Sequence, residues 1–182
     1  DGDRDRGQAQ AIESVVEGPN GLANHDRCKM VVVSAAGKTL TGMFIAEAME
    51  EIRTVLVLVP WRILVRQTLL EWLENTSWDP DEFEFRCVVS ENNAATADDL
   101  AAFRESTDDL SDILVTTDVA TIRKFLTNKN GKRKLVVSTY HSSERVAEAM
   151  PRGMSFDLAI FDEAHRTACL LYTSDAADDS LR

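Results

Sequence analysis

The sequence is poor in everything that would staple or anchor a chain from outside. Its three cysteines, Cys28, Cys87 and Cys169, are odd in number, far apart and without CxxC spacing, which excludes a disulfide framework and gives no support to a structural zinc site. His25 and His141 have no ligand partners at metal-binding spacing. No apolar run approaches the ~20 residues needed to span a bilayer, so no membrane partner is expected. A signal-like segment and a start methionine are also missing: the chain opens on Asp1, and its N-terminus is expected to be cut rather than native. Positive charge is scarce, with 20 Lys and Arg against 31 Asp and Glu, a formal net charge of −11. Overall charge therefore cannot draw this surface to nucleic acid, although a local patch can. Arg123, Lys124, Lys129, Lys132, Arg133 and Lys134 form the one such patch. These absences together suggest a reducing, intracellular compartment.

What is present is ordinary globular material. In 182 residues, 44% are hydrophobic and 28% charged, enough for one domain with a sizeable core. There is no internal repeat and no low-complexity linker, but short apolar runs alternate with amphipathic stretches. The strand-like runs are 29–33, 54–59, 85–90, 112–117, 134–139 and 156–161. Most are continuously apolar, as strands are when helices cover both faces of a parallel sheet. Between them, residues 40–52, 63–74, 118–126 and 143–150 carry apolar positions at helical spacing. The pattern predicts an α/β domain with a doubly wound, mainly parallel sheet. The tryptophans receive no ligand in this reading, and Trp72, at helical spacing with Leu69 and Leu73, is expected in the core.

Ligands of such sheets bind at the carboxyl ends of the strands, and two constellations fall there. The first is VVVSAAGKTL, residues 31–40, in which Gly37, Lys38 and Thr39 follow an apolar run and open a helix. Backbone N–H groups at a helix start wrap phosphates, an ammonium reaches the β and γ phosphates, and a hydroxyl coordinates Mg²⁺. Lys38 and Thr39 supply the last two groups; a plain exposed helix start is the bland alternative. The second is AIFDEAHRTA, residues 159–168, where Asp162 and Glu163 end an apolar run. Adjacent acids at the tip of a buried strand are unfavourable unless a cation offsets them. Asp162 would then hold Mg²⁺, directly or through water, and Glu163 would orient and activate the attacking water. Alone, the pair has a minority bland reading as the cap of a helix beginning at Ala164.

Taken in order, AAGKT and DEAH resemble motifs I and II of superfamily II helicases and translocases. VLVLVPWRILVRQTLLEW is similar to motif Ia, VVSTYHSSERVAEA to the STYQS segment of restriction-type DEAD/DEAH-like helicases, and DRGQAQAI to the glutamine-containing entry helix. The resemblance covers about residues 4 to 168. It implies a RecA-like P-loop ATPase domain, the first of two, using ATP and Mg²⁺ and acting on DNA or RNA. By the same resemblance Gln8 contacts adenine, Gly37, Lys38, Thr39, Ala35 and Ala36 form the nucleotide loop, and Asp162 and Glu163 act as above. His165 couples nucleotide state to nucleic acid, and Pro60, Arg62, Gln67, Thr139, Tyr140 and Ser142 line the nucleic-acid path. Two departures bear on function. The arginine that usually stands a few residues before the glutamine is displaced to Arg6 or Arg4, and the usual ACGTGKT reads VSAAGKT here, with Ala35 in place of a glycine and Ala36 in place of a small hydroxyl residue.

Glycine accepts φ > 0 and lets backbone approach phosphate without a Cβ, so the loop is expected to be intact in outline and weakened in function. A sequence error across VVVSAA and a dead site are the alternatives. Residues 1–168 are expected to form the motor domain, incomplete after motif II and lacking its second RecA-like partner. Residues 169–182 are expected to be non-native, because CLLYTSDAAD is the translation of a transposon-end sequencing adapter. Two other classes stay open: a P-loop ATPase acting on something other than nucleic acid, and a non-catalytic nucleic-acid-binding module descended from a helicase.

Overall fold

A computed structural model of the chain describes residues 2–18, 21–22, 37–49, 51–89 and 115–163. Its elements, in chain order, are α1 (Gly2–Val16), α2 (Lys38–Ala48), β1 (Thr54–Val59), α3 (Arg62–Asn75), β2 (Phe83–Val88), α4 (Val119–Thr127), β3 (Arg133–Thr139), α5 (Ser143–Ala149) and β4 (Leu158–Phe161). Single 3₁₀ turns at Pro80–Glu82 and Tyr140–Ser142 lead into β2 and α5. The four strands form one parallel sheet in the order β2-β3-β1-β4.

The continuous apolar runs are explained by what covers them. Register places Val57 of β1 between Val137 of β3 and Ile160 of β4, while Cys87 of β2 lies beside Val137. Alternate residues then separate to opposite faces. Val55, Val57, Val59, Leu135, Val137 and Phe83 join Met43 and Ile45 of α2 and Val65, Leu69 and Trp72 of α3 in one core. Val136 and Val88 meet Ile122, Phe125 and Leu126 of α4 and Val146 and Ala149 of α5 in the other. Each fully buried branched side chain contributes roughly 1.5–3 kcal/mol, so both faces must be covered and neither can be left polar. This is the doubly wound α/β arrangement expected from the sequence, and Trp72 is buried as anticipated.

Element ends follow local chemistry. Asp118 caps α4, its carboxylate accepting from the Thr121 hydroxyl at 2.5 Å and from the Thr121 N–H at 2.8 Å, and these hydrogen bonds, the hydroxyl's first, hold its carboxyl below the usual range. The other end of α4 is closed by a cation: the Lys134 ammonium donates to the carbonyls of Leu126 and Asn128, a C-terminal cap supplied from the start of β3. Burial outweighs the neighbouring Glu84 carboxylate and pulls the Lys134 ammonium below its ordinary pKa. Trp78 bridges Trp72 and Phe83, with ring centroids 5.8 and 5.4 Å away, and so ties the end of α3 to the start of β2.

Some boundaries differ from the periodicity. The helix expected over 40–52 runs from Lys38 to Ala48; Ile52 is buried, but as a connector residue under the sheet. The strand expected over 85–90 is displaced to Phe83–Val88, and that over 156–161 starts at Leu158, because Phe156 packs into the second core and Asp157 turns its carboxylate to the start of β1. The strand expected over 29–33 lies outside the described residues. Of that expected over 112–117, Val115 makes a parallel bridge to Cys87, and 112–114 lie outside.

Candidate functional site

The expected ligand edge is built by three strand ends and one helix start. α3 begins directly after β1 and runs back along the sheet, and α2 runs in the same sense. The C-terminal halves of α2 and α3 are joined where Glu47 accepts from the Thr76 hydroxyl at 2.8 Å and the Ser77 N–H at 2.6 Å. The N-terminus of α2 therefore opens at the carboxyl edge of the strands. Gly37 caps it with φ 69° and ψ 44°, a left-handed conformation that glycine adopts without a Cβ penalty. No side chain among the described residues caps this end. The first N–H groups of a helix have no partner within the helix and lie at the positive end of its dipole, the arrangement that receives anions. Thr41, one turn on, turns inward and donates its hydroxyl to the Gly37 carbonyl at 3.0 Å. Thr39 is half-buried at the mouth.

The acid pair reaches the same edge. A Cβ placed on Gly42 would stand 3.1 Å from Cδ1 of Ile160, so the bare face of α2 at Gly42 packs on the Ile160 side chain of β4, two residues before Asp162. Beyond Phe161 the chain continues its pairing: the Asp162 N–H donates to the Leu58 carbonyl at 2.9 Å. Glu163 follows with φ 52°, the one non-glycine residue in the left-handed region among those described. Both acids are half-buried. Left-handed backbone at a branch-free but bulky acid is sparsely populated and collects at functional sites.

Tyr140 stands across from them. Its phenol donates to the Asp162 carbonyl at 2.6 Å, reaching from the end of β3 past the intervening β1. Burial, with the carboxylates of Asp162 and then Glu163 adding to it, pushes the phenol up to about 12, so it remains a hydrogen-bond donor at any physiological pH. The turn that carries Tyr140 is held by its own hydroxyls. Thr139 accepts from the Ser142 N–H at 3.3 Å, and its Oγ1 lies 3.1 Å from Ser142 Oγ.

The sequence-derived site residues thus fall into groups. Gly37, Thr39, Asp162 and Glu163 are brought to one edge, with the backbone of Lys38 at the first position of α2. Pro60 and Arg62 flank the end of β1 on the same edge, half-buried. Gln67 is exposed in the middle of α3, where its amide donates to Glu71 at 3.0 Å. Thr139 and Ser142 are buried and spend their hydroxyls on the turn, so they shape it rather than present themselves to solvent. Ala35, Ala36 and His165, and the side chains of Gln8 and Lys38, lie outside the described residues. Sequence reasoning overlooked Gly42; a lone glycine in an amphipathic helix between Thr41 and Met43 is the signal that could have found it. It also placed Tyr140 only on a nucleic-acid path, because a contact across a non-neighbouring strand leaves no local trace.

The basic run divides. A cavity of about 460 Å³ opens at the opposite, amino edge of the sheet, lined in part by Arg53, Lys129, Lys132 and Lys134. It is remote from the acids, and the Lys134 ammonium is turned inward onto carbonyls. Among the described residues, no group of three or more His, Cys, Asp or Glu side chains is arranged to hold a metal alone, and no helix is long and apolar enough to cross a membrane.

Comparison with known proteins adds three findings. The family model described as "Type III restriction enzyme, res subunit" matches residues 4–174. A nuclease-deletion mutant of the Type ISP restriction-modification enzyme LlaGI, solved with a DNA substrate mimic, is similar in structure: TM-score 0.64, 29% identity, 87% of this chain and 15% of that one. The ATP-dependent Type ISP enzyme LlaBIII bound to DNA gives a TM-score of 0.59 at 26% identity, over 91% of this chain and 10% of that one. No curated protein sequence matches.

Proposed function

The chain belongs to the type III restriction enzyme res-subunit family, a family of helicase-type motor domains, and from that premise we propose that it binds ATP with Mg²⁺ and drives movement along DNA. The observation that carries this reading is the close packing of Gly42 on the Ile160 side chain, which holds a glycine-led helix start at the same sheet edge as an acid pair. DNA is preferred to RNA because both similar structures hold DNA or its mimic, and this chain spans 15% and 10% of the length of those two.

In this reading the N–H groups of the first turn of α2 and the Lys38 ammonium receive the β and γ phosphates. Thr39 and Asp162 offer hard oxygen donors that suit Mg²⁺, which typically takes one or two protein ligands and completes its shell with phosphate and water. Bound there, Mg²⁺ would offset phosphate charge. Glu163 accepts the proton of the attacking water, Gln8 reads adenine, and His165 couples the nucleotide to the DNA path past Pro60, Arg62, Gln67 and the Tyr140 turn. The arginines that stabilise charge on the transferred phosphoryl group would come from a second RecA-like domain, without which turnover falls by ~10³ to 10⁵. The setting is intracellular, and residues 169–182 are a non-native addition.

The test is calorimetric titration of the chain with Mg²⁺-ADP beside Lys38→Ala, together with ATP turnover in the complete enzyme with and without DNA or RNA. Binding lost in Lys38→Ala and turnover stimulated by DNA are expected. Equal affinity in both chains would overturn the nucleotide site and favour the non-catalytic module, while turnover indifferent to nucleic acid would favour an ATPase acting on another substrate.

A further inference from the structure

We propose that Tyr140 is a positioning residue for the acid pair: its phenol fixes the peptide between Asp162 and Glu163 and so sets the direction in which Glu163 points. The proposal rests on the functional reading above for its consequence, but its geometry is independent of it. The peptide 162–163 is gripped at the carbonyl by Tyr140 Oη at 2.6 Å. One residue earlier, the backbone is gripped at the Asp162 N–H by Leu58, at 2.9 Å. Orientation of that peptide plane is what φ of Glu163 measures against, and φ there is 52°. A left-handed glutamate has no intrinsic reason to persist, because the right-handed or extended well is lower. It persists when neighbouring bonds over-determine it, and the Tyr140 bond is applied at the carbonyl whose rotation would release it.

The donor is well chosen for this task. Tyr140 leaves β3, while Asp162 leaves β4, and β1 lies between those strands; a shorter side chain would not cross it. The base from which the phenol reaches is stiff. Ser138 of β3 donates to the Val88 carbonyl at 3.0 Å, Thr139 and Ser142 bond one another, and Ser143 donates to the Tyr140 carbonyl at 2.6 Å. A displacement of the Tyr140–Ser142 turn, such as a polymer lying on it would cause, is therefore delivered to the Asp162–Glu163 peptide through one hydrogen bond. Tyr140 itself touches no reacting atom in this account.

Tyr140→Phe keeps the ring and removes only the donor, and a neutral hydrogen bond is worth a factor of about five to ten. In the complete enzyme, kcat for DNA-stimulated ATP hydrolysis is expected to fall by about that factor, with KM for ATP and Mg²⁺-ADP affinity nearly unchanged and the melting temperature lowered by no more than the few degrees one hydrogen bond represents. In a Glu163→Gln background, Tyr140→Phe should add nothing further, since there is no longer an acid to aim. A kcat equal to the unmodified enzyme's, a loss that appears in KM or melting temperature instead, or a loss that adds in full to that of Glu163→Gln would each overturn the proposal. If the unmodified enzyme hydrolyses no ATP, the functional reading falls and amide hydrogen exchange decides the geometry. Exchange of the Glu163 amide, the N–H of the tethered peptide, should rise several-fold in Tyr140→Phe, and unchanged exchange would overturn the tether.

Discussion

Gly42 of α2 packs on the side chain of Ile160 of β4: the Cβ that any other residue would bring to position 42 meets Cδ1 of Ile160 at 3.1 Å. The contact joins the helix that follows Gly-Lys-Thr to the strand that precedes Asp-Glu. Gly42→Val should therefore force the two apart, with an overpacking penalty of roughly 1–3 kcal/mol seen as a lower melting temperature, and should weaken Mg²⁺-ADP binding as well. A valine variant that melts and binds like the unmodified chain would show that the two elements can move independently.

The acids should separate by role. Asp162→Asn is expected to weaken the Mg²⁺ dependence of nucleotide binding, while Glu163→Gln leaves binding intact and impairs hydrolysis in the complete enzyme, because water activation follows binding. Parallel titrations and turnover assays check both; hydrolysis by Glu163→Gln at the unmodified rate removes Glu163 from its role.

How much of this could be read in advance divides along physical lines. β1 and β3 were legible because burial on both faces leaves an unbroken apolar run such as Leu135, Val136 and Val137. The positions of Gly37, at a helix start, and of Asp162, just past a strand end, were legible because helical periodicity begins after the one and an apolar run ends before the other. The bond from Tyr140 to Asp162 was not, since it spans 22 positions and an intervening strand, and neither periodicity nor propensity encodes such a contact. The left-handed φ of Glu163 was hidden for a similar reason: propensity assigns that region to glycine or asparagine, and here tertiary bonds impose it on a glutamate.

Restoring glycine tests the loop. Alanine where φ > 0 is needed costs about 1 kcal/mol or more, so Ala35→Gly should tighten Mg²⁺-nucleotide binding by roughly tenfold, the factor that ~1.4 kcal/mol represents. Calorimetry that shows no gain, with Lys38→Ala equally silent, would mark the loop as a relic.

Cys87 should be chemically silent in the folded chain. It is buried beneath α3's side of the sheet, and burial, only partly opposed by the Arg86 charge, pushes its thiol up to about 12. A folded pKa above the unfolded value of about 8.5 means that the thiol's contribution to stability is complete below pH ~8.5 and is lost as pH rises toward 12. With Cys28 and Cys169 replaced by serine, a thiol reagent should label Cys87 only on unfolding. Stability should decline less steeply above pH ~8.5 in Cys87→Ala than in its cysteine parent. Rapid labelling of the native chain would contradict the burial.

The tail makes a simpler case. The family match ends at residue 174, within the adapter-like stretch; truncation after Ala168 is nevertheless expected to leave the melting temperature unchanged. A drop of several degrees would show that residues 169–182 belong to the domain.

At the amino edge of the sheet, Asp157 accepts from the N–H groups of Arg53 and Thr54 at 2.9 and 2.7 Å and from the Thr54 hydroxyl at 2.9 Å, and returns its own N–H to Thr54. That knot works as the zero mark of a ruler. From it, β4 advances about 3.3 Å per residue, so Asp162 arrives some five residues and about 17 Å further on, beside Leu58. Were β4 to slip along β1 by one residue, its core face would turn outward; by two, the faces would agree again but the acid would overshoot the start of α2 by about 6.6 Å. A carboxylate with no chemistry of its own thus meters where, at the far end of the strand, chemistry becomes possible.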